Sequence, residues 1–293
     1  SIQDQLTTLV TEQAISSVSE DGKIGIGYSF ERVNTCMPGY GYTHGDRSDV
    51  RLDAPSTDGL YAVDLSKGTS KLIMSISDVC SMNPDSTMKN ARHYFSHALI
   101  APGGARVAFL HRWIRGDVTK RWSRMVSCNL DGSDVYIFPT SGMVSHIGWR
   151  DSKNILAYCR DIHGIDGYVL FHDQDGDRWE RVGDSSFNSD GHPSFSSDGR
   201  WIITDTYPDR TRRSYLSLFD TVKDQRFDIA LLKHWKKYAT PEPYSHWACD
   251  LHPRWNRAGN IICFDSVYTG TRSLCTINLS EAGDQISNAI TSL

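Results

Sequence analysis

Residues 192–207 read HPSFSSDGRWIITDTY, and this stretch decides the fold. A short apolar strand enters a turn of Ser, Asp and Gly, and a second apolar strand leaves it. Asp-Gly between two such runs is a strong hairpin signal. Four more stretches repeat the pattern: ISSVSEDGKIGIGY from Ile15, HALIAPGGARVAFLH from His97, HIGWRDSKNILAYCR from His146 and HPRWNRAGNIICFDS from His252. Each is followed, after a variable loop, by a further strand and turn, such as GYVLFHDQDGDRWERV after the stretch from His146. Four short strands joined by hairpins make one blade of a β-propeller. The starts at 97, 146, 192 and 252 lie 49, 46 and 60 residues apart, which suits blades carrying loop insertions.

The expectation is therefore an all-β protein, a β-propeller with five readable blades, forming one domain over residues 1–293. The first interval, from Ile15 to His97, is 82 residues long and contains the irregular RVNTCMPGYGYTHGDRSDVRLDAPSTD. Either one blade carries a large insertion there or part of another blade lies within it. The opening SIQDQLTTLV reads as the tail of a preceding blade, so N-terminal blades are expected to be missing. Helix is scarce, and residues 228–238, DIALLKHWKKY, predict the main one.

Aligning the repeats places Ile15, His97, His146, His192 and His252 at one structural position. The first strand of a propeller blade lines the central channel, so equivalent positions on successive blades ring it. Alternation along a strand puts Asp190 on the face of His192 and Asp250 on the face of His252. A lone histidine here is a capping or loop-bonding residue. Four in register form a cluster suited to metal binding, proton transfer or both, because imidazoles gathered on one axis without such a use are costly to bury.

HWACDLH adds a second pattern, with His246, Cys249 and His252 at intervals of three. Together with His192 they make a four-ligand nitrogen and sulfur set of the kind zinc takes. Exchanging Cys249 for Asp250 gives an oxygen-richer set that suits manganese or calcium better. One divalent cation is the expected cofactor. Cationic side chains recur at the strand ends: His111, Arg112 and Arg115 in FLHRWIR, then Arg160 and His163, then Arg210, Arg212 and Arg213 after Tyr207. Arginine there can pair with a carboxylate through two bonds. Trp113, Trp122, Tyr207 and Trp247 are candidates for stacking on sugar rings, or for packing between blades.

Composition limits the partners. Lys plus Arg total 31 against 35 Asp plus Glu, a net charge of −4, which argues against nucleic acid. No apolar run is long enough to span a bilayer, so no membrane insertion is expected. The seven cysteines form no C-x-x-C pair, and Cys159 and Cys263 sit in apolar strands as small hydrophobes. The compartment stays open, with a periplasmic or secreted setting favoured.

RHYFSHALIAPGGARVAFLHRW, SDGHPSFSSDGRWIITDTYPD and CDLHPRWNRAGNIICFDS resemble the β-propeller polysaccharide lyases, namely oligogalacturonate lyases and ulvan lyases, over roughly residues 90 to 280. The resemblance implies seven blades. It implies a divalent metal at His192 and at the second His of a His-Pro-His matching His252, with Asp250 standing here where the family has the first His. It implies catalytic roles for His97, His111, His146, Arg160 and Tyr207: His97 or His146 as base, Tyr207 or His111 as acid, Arg160 as carboxylate neutraliser. The implied activity is that of a carbon–oxygen lyase acting by β-elimination on an anionic, uronate-containing oligo- or polysaccharide, ulvan-like or oligogalacturonate-like. The alternative is a non-catalytic propeller that binds a glycan or protein. Asp190, Asp205 and Asp250 would serve a hydrolytic glycosidase, and no G-x-S-x-G string supports a serine peptidase.

Overall fold

A computed structural model describes residues 10–42, 48–239 and 248–279. The described strands form five antiparallel sheets. The first contains β1 (Ser17–Val18), β2 (Ile24–Tyr28), β3 (Gly59–Asp64) and β4 (Ser70–Ser75). The second contains β5 (Arg92–Ile100), β6 (Arg106–Ile114), β7 (Arg121–Asn129) and β8 (Tyr136–Ile137). The third contains β9 (Val144–Trp149), β10 (Asn154–Arg160), β11 (Asp166–His172) and β12 (Asp175–Arg181). The fourth contains β13 (Ser194–Phe195), β14 (Trp201–Asp205), β15 (Arg213–Asp220) and β16 (Gln225–Lys233). The fifth contains β17 (Arg254–Trp255), β18 (Ile261–Ser266) and β19 (Ser273–Asn278). Strand order follows chain order in every sheet, the up-and-down pattern of propeller blades. Five blades are present among the described residues, each beginning at one of the sequence repeats, and the seven implied by the resemblance are not reached.

The repeated turn has a physical basis. Ser19, Ser196 and Asn256 each accept a hydrogen bond from the first backbone N–H of the following strand, at Ile24, Trp201 and Ile261, and the Asp151 carboxylate does the same for Asn154. Gly199 then takes φ +70°, which a side chain disfavours. Successive residues of a blade strand face opposite neighbours. On β10, Ile155 and Ala157 pack toward the second blade, whereas Leu156 packs toward the fourth. On β14, Ile202 packs toward the third blade and Ile203 toward the fifth. The core is thus a series of apolar layers between blades. Trp149 and Trp255 sit at equivalent positions, and each donates its indole N–H across a blade boundary, to the Leu99 and Ser194 carbonyls. Each such bond contributes on the order of 1 kcal/mol and fixes the blade-to-blade angle.

The long first interval is an insertion between β2 and β3, not part of another blade. It holds α1 (Phe30–Cys36), capped by Ser29, which accepts from the Arg32 N–H. Arg32 is buried and anchors the insertion. It pairs with Asp58 at 2.8 Å and donates to the carbonyls of Leu52 and His93. This places Val33, Met37 and Tyr40 over the central cavity. The helix expected at 228–238 is absent. β16 runs to Lys233 and a single 3-10 turn follows at Lys236–Tyr238. The ladder with β15 gives this stretch a partner strand, whereas an isolated helix of eleven residues is only marginally stable. Among the described residues no helix is long and apolar enough to cross a membrane.

Candidate active site

A cavity of about 570 Å³ runs along the axis, lined by residues of all five blades and of the α1 insertion. Four imidazoles stand in a row on its wall. Ring centres of His97 and His146 are 5.5 Å apart, those of His146 and His192 4.2 Å, and those of His192 and His252 3.9 Å. Tyr207 closes on the row, 5.7 Å from His192 and 6.4 Å from His146.

Local backbone features aim these rings. His97 sits at a bulge in β5, between Ser96 and Leu99, with φ +54°, and His252 has φ +46°. Positive φ at a residue other than glycine is strained, and such strain collects at functional sites. Gly191, between Asp190 and His192, lies so close to the Asp205 backbone that a Cβ would come within 2.0 Å of its carbonyl oxygen. Only glycine fits there, and the close approach lets Asp205 reach His192.

Carboxylates set the ring orientations. Asp205 accepts from the His192 Nδ1 at 2.9 Å, from the His192 backbone N–H at 2.7 Å and from the His252 backbone N–H at 3.0 Å. A carboxylate only accepts, so His192 carries its hydrogen on Nδ1 and turns Nε2 to the cavity, 4.0 Å from Asp250. Asp190 does the same for His146, accepting from Nδ1 at 3.0 Å. Burial opposes charge on His192, yet the Asp205 hydrogen bond and the charges of Asp205, Asp250 and Asp190 outweigh it, and its pKa lies above the ordinary value. Burial holds His146 below the ordinary value, against the pull of Asp190. His146 is therefore neutral with an open Nε2, the form a base requires. Partial burial of its ring against the row, and then the carboxylates Asp190 and Asp250, raise Tyr207, which keeps its proton. Asp250 is raised as well, chiefly by burial.

Of the residues expected from the sequence, the structure brings together His97, His146, His192, His252 and Tyr207. His246 lies outside the described residues. Cys249 is buried next to the site but does not line the cavity, and among the described residues it does not converge with His192 and His252 on one point. Asp250, the next residue, is the one that approaches the row, 4.0 Å from His192 Nε2. Arg160 is half-exposed at the blade edge and is held by Asp166 at 2.7 and 3.0 Å. His111 is fully buried inside the second blade, away from the row, because β6 is covered on both faces along its length.

His111 belongs to a second cluster. Its Nε2 lies 2.9 Å from His93 Nδ1 and 3.7 Å from Cys80 Sγ. Cys80, on α2 (Ile76–Ser81), His93 and His111 bring their ligand atoms within 4.8 Å of one another, a His/Cys set that could hold a metal ion. Among the described residues it is the group of three that converges this tightly. Arg124 donates its Nε–H to His111 Nδ1 at 3.1 Å, and His93 Nε2 faces the Met88 carbonyl at 3.2 Å.

Two residues of the site were not singled out for their roles by the sequence. In the sequence Asp205 presents itself only as a carboxylate for hydrolysis. Its signal was there: Ser194 pairs with Ile203, so two steps along the same hairpin ladder His192 meets Asp205. Arg112 was one cation among several at a strand end. It is buried, its Nη2 donates to the Ser145 carbonyl at 2.8 Å, and its Nη1 lies 3.6 Å from the Met37 sulfur. The Tyr94 hydroxyl stands opposite Arg112 on β5 as its neutral polar neighbour. No carboxylate pairs with Arg112 among the described residues. It is the foremost charged neighbour of His97 and also acts on His146.

No protein-family model and no curated protein matches the sequence. Solved structures do match, and they define the class as β-propeller. An oligogalacturonate lyase in complex with manganese superposes with a TM-score of 0.57 at 16% identity, covering 92% of this chain and 66% of that one. The oligogalacturonate lyase of Vibrio parahaemolyticus gives 0.57 at 14%, with coverages of 93% and 68%. TolB from Acinetobacter baumannii gives 0.55 at 14%, with coverages of 92% and 53%. The likeness is one of fold, shared about equally by lyase and TolB. The chain spans about half the length of that TolB and about two thirds of the lyases.

Proposed function

We propose that the chain is the catalytic propeller of a polysaccharide lyase that cleaves a uronate-containing glycan, ulvan-like or oligogalacturonate-like, by β-elimination. One observation carries this reading: an in-register row of imidazoles in an axial cavity, with His146 neutral, oriented by Asp190 and open at Nε2. The C5 proton of a uronate is weakly acidic, so the carboxylate beside it must be neutralised as charge develops. His146 Nε2 takes that proton. The C5–H electron pair forms the C4–C5 double bond, the C4–O4 bond breaks, and the Tyr207 hydroxyl protonates O4. A proton passed from His146 to Tyr207 through solvent restores both groups. Arg112, cationic and without a carboxylate of its own, takes the neutralising role that the resemblance gave to Arg160. His192 Nε2 and Asp250, 4.0 Å apart, with the His252 ring beside them, would have to draw closer together to hold a divalent cation, and as a nitrogen and oxygen set they would suit manganese better than zinc. A divalent cation there would supply further positive charge for the substrate carboxylate.

The test is incubation with a panel of uronate polysaccharides while following ultraviolet absorbance of the 4,5-unsaturated product. The signal should grow, and His146→Ala should reduce its rate by about 10²–10⁴-fold. Reducing sugar released without absorbance would point to hydrolysis, and no reaction on any polymer would favour the binding module.

A further inference from the structure

The fourth blade carries a feature that the elimination chemistry does not use. The hairpin at 206–213 and the segment at 233–238 hold six cations, Arg210, Arg212, Arg213, Lys233, Lys236 and Lys237, against one acid, Asp209. The whole chain has a net charge of −4, so this is a local inversion. None of the six forms an ion pair with a carboxylate among the described residues. Asp209 accepts from the backbone N–H groups of Thr211 and Arg213, which closes the hairpin.

Arg213 and Lys233, both exposed, stand directly opposite each other in the β15–β16 ladder. Like charges at opposed positions destabilise a sheet. Next to them, Arg212 donates to the imidazole of buried His234, which burial and Arg212 together keep neutral, so Arg212 gains no counter-charge. The cations are also held in place. The Trp235 indole donates to the Tyr268 carbonyl at 3.1 Å, and the Tyr238 hydroxyl to the Gly270 carbonyl at 3.1 Å. Trp235 is 39% exposed, with Lys233 Nζ 3.9 Å from its ring centre. Tyr207, 45% exposed, stands on the same hairpin as the arginines and reaches the imidazole row.

We propose that this strip is a binding surface for an anionic polysaccharide that leads along the fourth blade to the cavity. The cations take the carboxylates, and the fixed indole takes a sugar face. The net negative charge of the chain disfavours a nucleic acid, and the proximity of Tyr207 to the imidazole row ties the strip to the cavity's own ligand. The polysaccharide class rests on the proposed function, but binding can be measured without turnover.

Native gel electrophoresis through polygalacturonate provides the test, with His146→Ala as the parent so that the polymer stays intact. The parent should be retarded by polygalacturonate and not by dextran, less so as salt rises. Adding Arg213→Glu and Lys233→Glu should weaken apparent binding by at least roughly tenfold, with an unchanged melting temperature. Lys236→Gln with Lys237→Gln, in a turn outside the ladder, should weaken it to a smaller degree, and Trp235→Ala likewise. An unretarded parent, retardation unaffected by charge reversal, or equal retention by single-stranded DNA with no dependence on Trp235 would overturn the proposal. Strip-dependent retardation without any unsaturated product would sink the lyase reading and leave the strip standing.

Discussion

His146 and His192 in the cavity and His93 and His111 in the second blade are the same side chain under opposite neighbours. In the cavity each ring gives its Nδ1 hydrogen to a carboxylate, Asp190 or Asp205, and presents Nε2 to open space. In the second blade the series starts from a guanidinium. Arg124 can only donate, so His111 Nδ1 accepts, Nε2 carries the hydrogen and gives it to His93 Nδ1, and His93 Nε2 donates to the Met88 carbonyl. Every ring nitrogen there is taken. A metal held by His111 Nε2 would have to displace that hydrogen beside a fixed positive charge. The two histidine clusters thus differ in which ring nitrogens stay open because of the charge behind them, and histidine content alone does not separate them.

The largest effect on this contrast should come from Asp205→Asn. The amide keeps the size but gives up the charge and one acceptor oxygen, so His192 loses the partner that fixes its hydrogen on Nδ1. Removing such a supporting carboxylate should lower kcat/KM by about 10–100-fold, with divalent-metal affinity falling in parallel in a titration. An unchanged rate would mean that His192 takes no part in the chemistry. Arg112→Met should be smaller but more telling. If Arg112 serves the blade interface, the loss of its bond to Ser145 will lower the melting temperature. If it serves the substrate carboxylate, turnover will fall by about tenfold or more while stability holds or rises, since exchanging a buried unpaired cation for an apolar chain of similar volume is neutral or favourable.

The sequence made the blades legible because hairpin turns and alternation are local. The SSDGRW turn and the IIT strand after it specify a hairpin with little help from elsewhere, and the His register follows by counting. What was not legible depended on contacts between blades and within them. Cys249 and Asp250 are adjacent in sequence, and only the direction of the chain into β17 decides which one faces the axis. His111 and Arg112 read as a pair at a strand end, yet alternation sends one into the second blade and the other toward β9. At 228–238 the apolar spacing suits either period, and the β15 partner strand settled it as β16. Asp205 was within reach, by extending the 192–205 hairpin ladder two further steps.

The smallest effect concerns acid stability and tests the wired cluster directly. Burial, first, and the charge of Arg124, second, hold His111 well below the ordinary imidazole value, and burial also lowers His93. In the unfolded chain both titrate near 6.5, the ordinary value. Above that pH neither state binds the protons and the contribution of the pair is complete. Below it the unfolded state takes up protons that the folded state refuses, so stability falls as pH drops. His192, raised in the folded state, acts with the opposite sign and loses its contribution as pH rises through its folded value. Arg124→Met leaves His111 Nδ1 without its donor and should cost about 1–3 kcal/mol at neutral pH. It also removes a positive neighbour from both rings, so they titrate nearer their ordinary value and the acid loss shrinks. Urea unfolding at about pH 7.5 and about pH 5.5 should therefore show the gap between wild type and variant narrowing on the acid side. A constant gap would mean that Arg124 does not govern the charge of these rings, and the contrast with the carboxylate-backed row would lose its electrostatic basis.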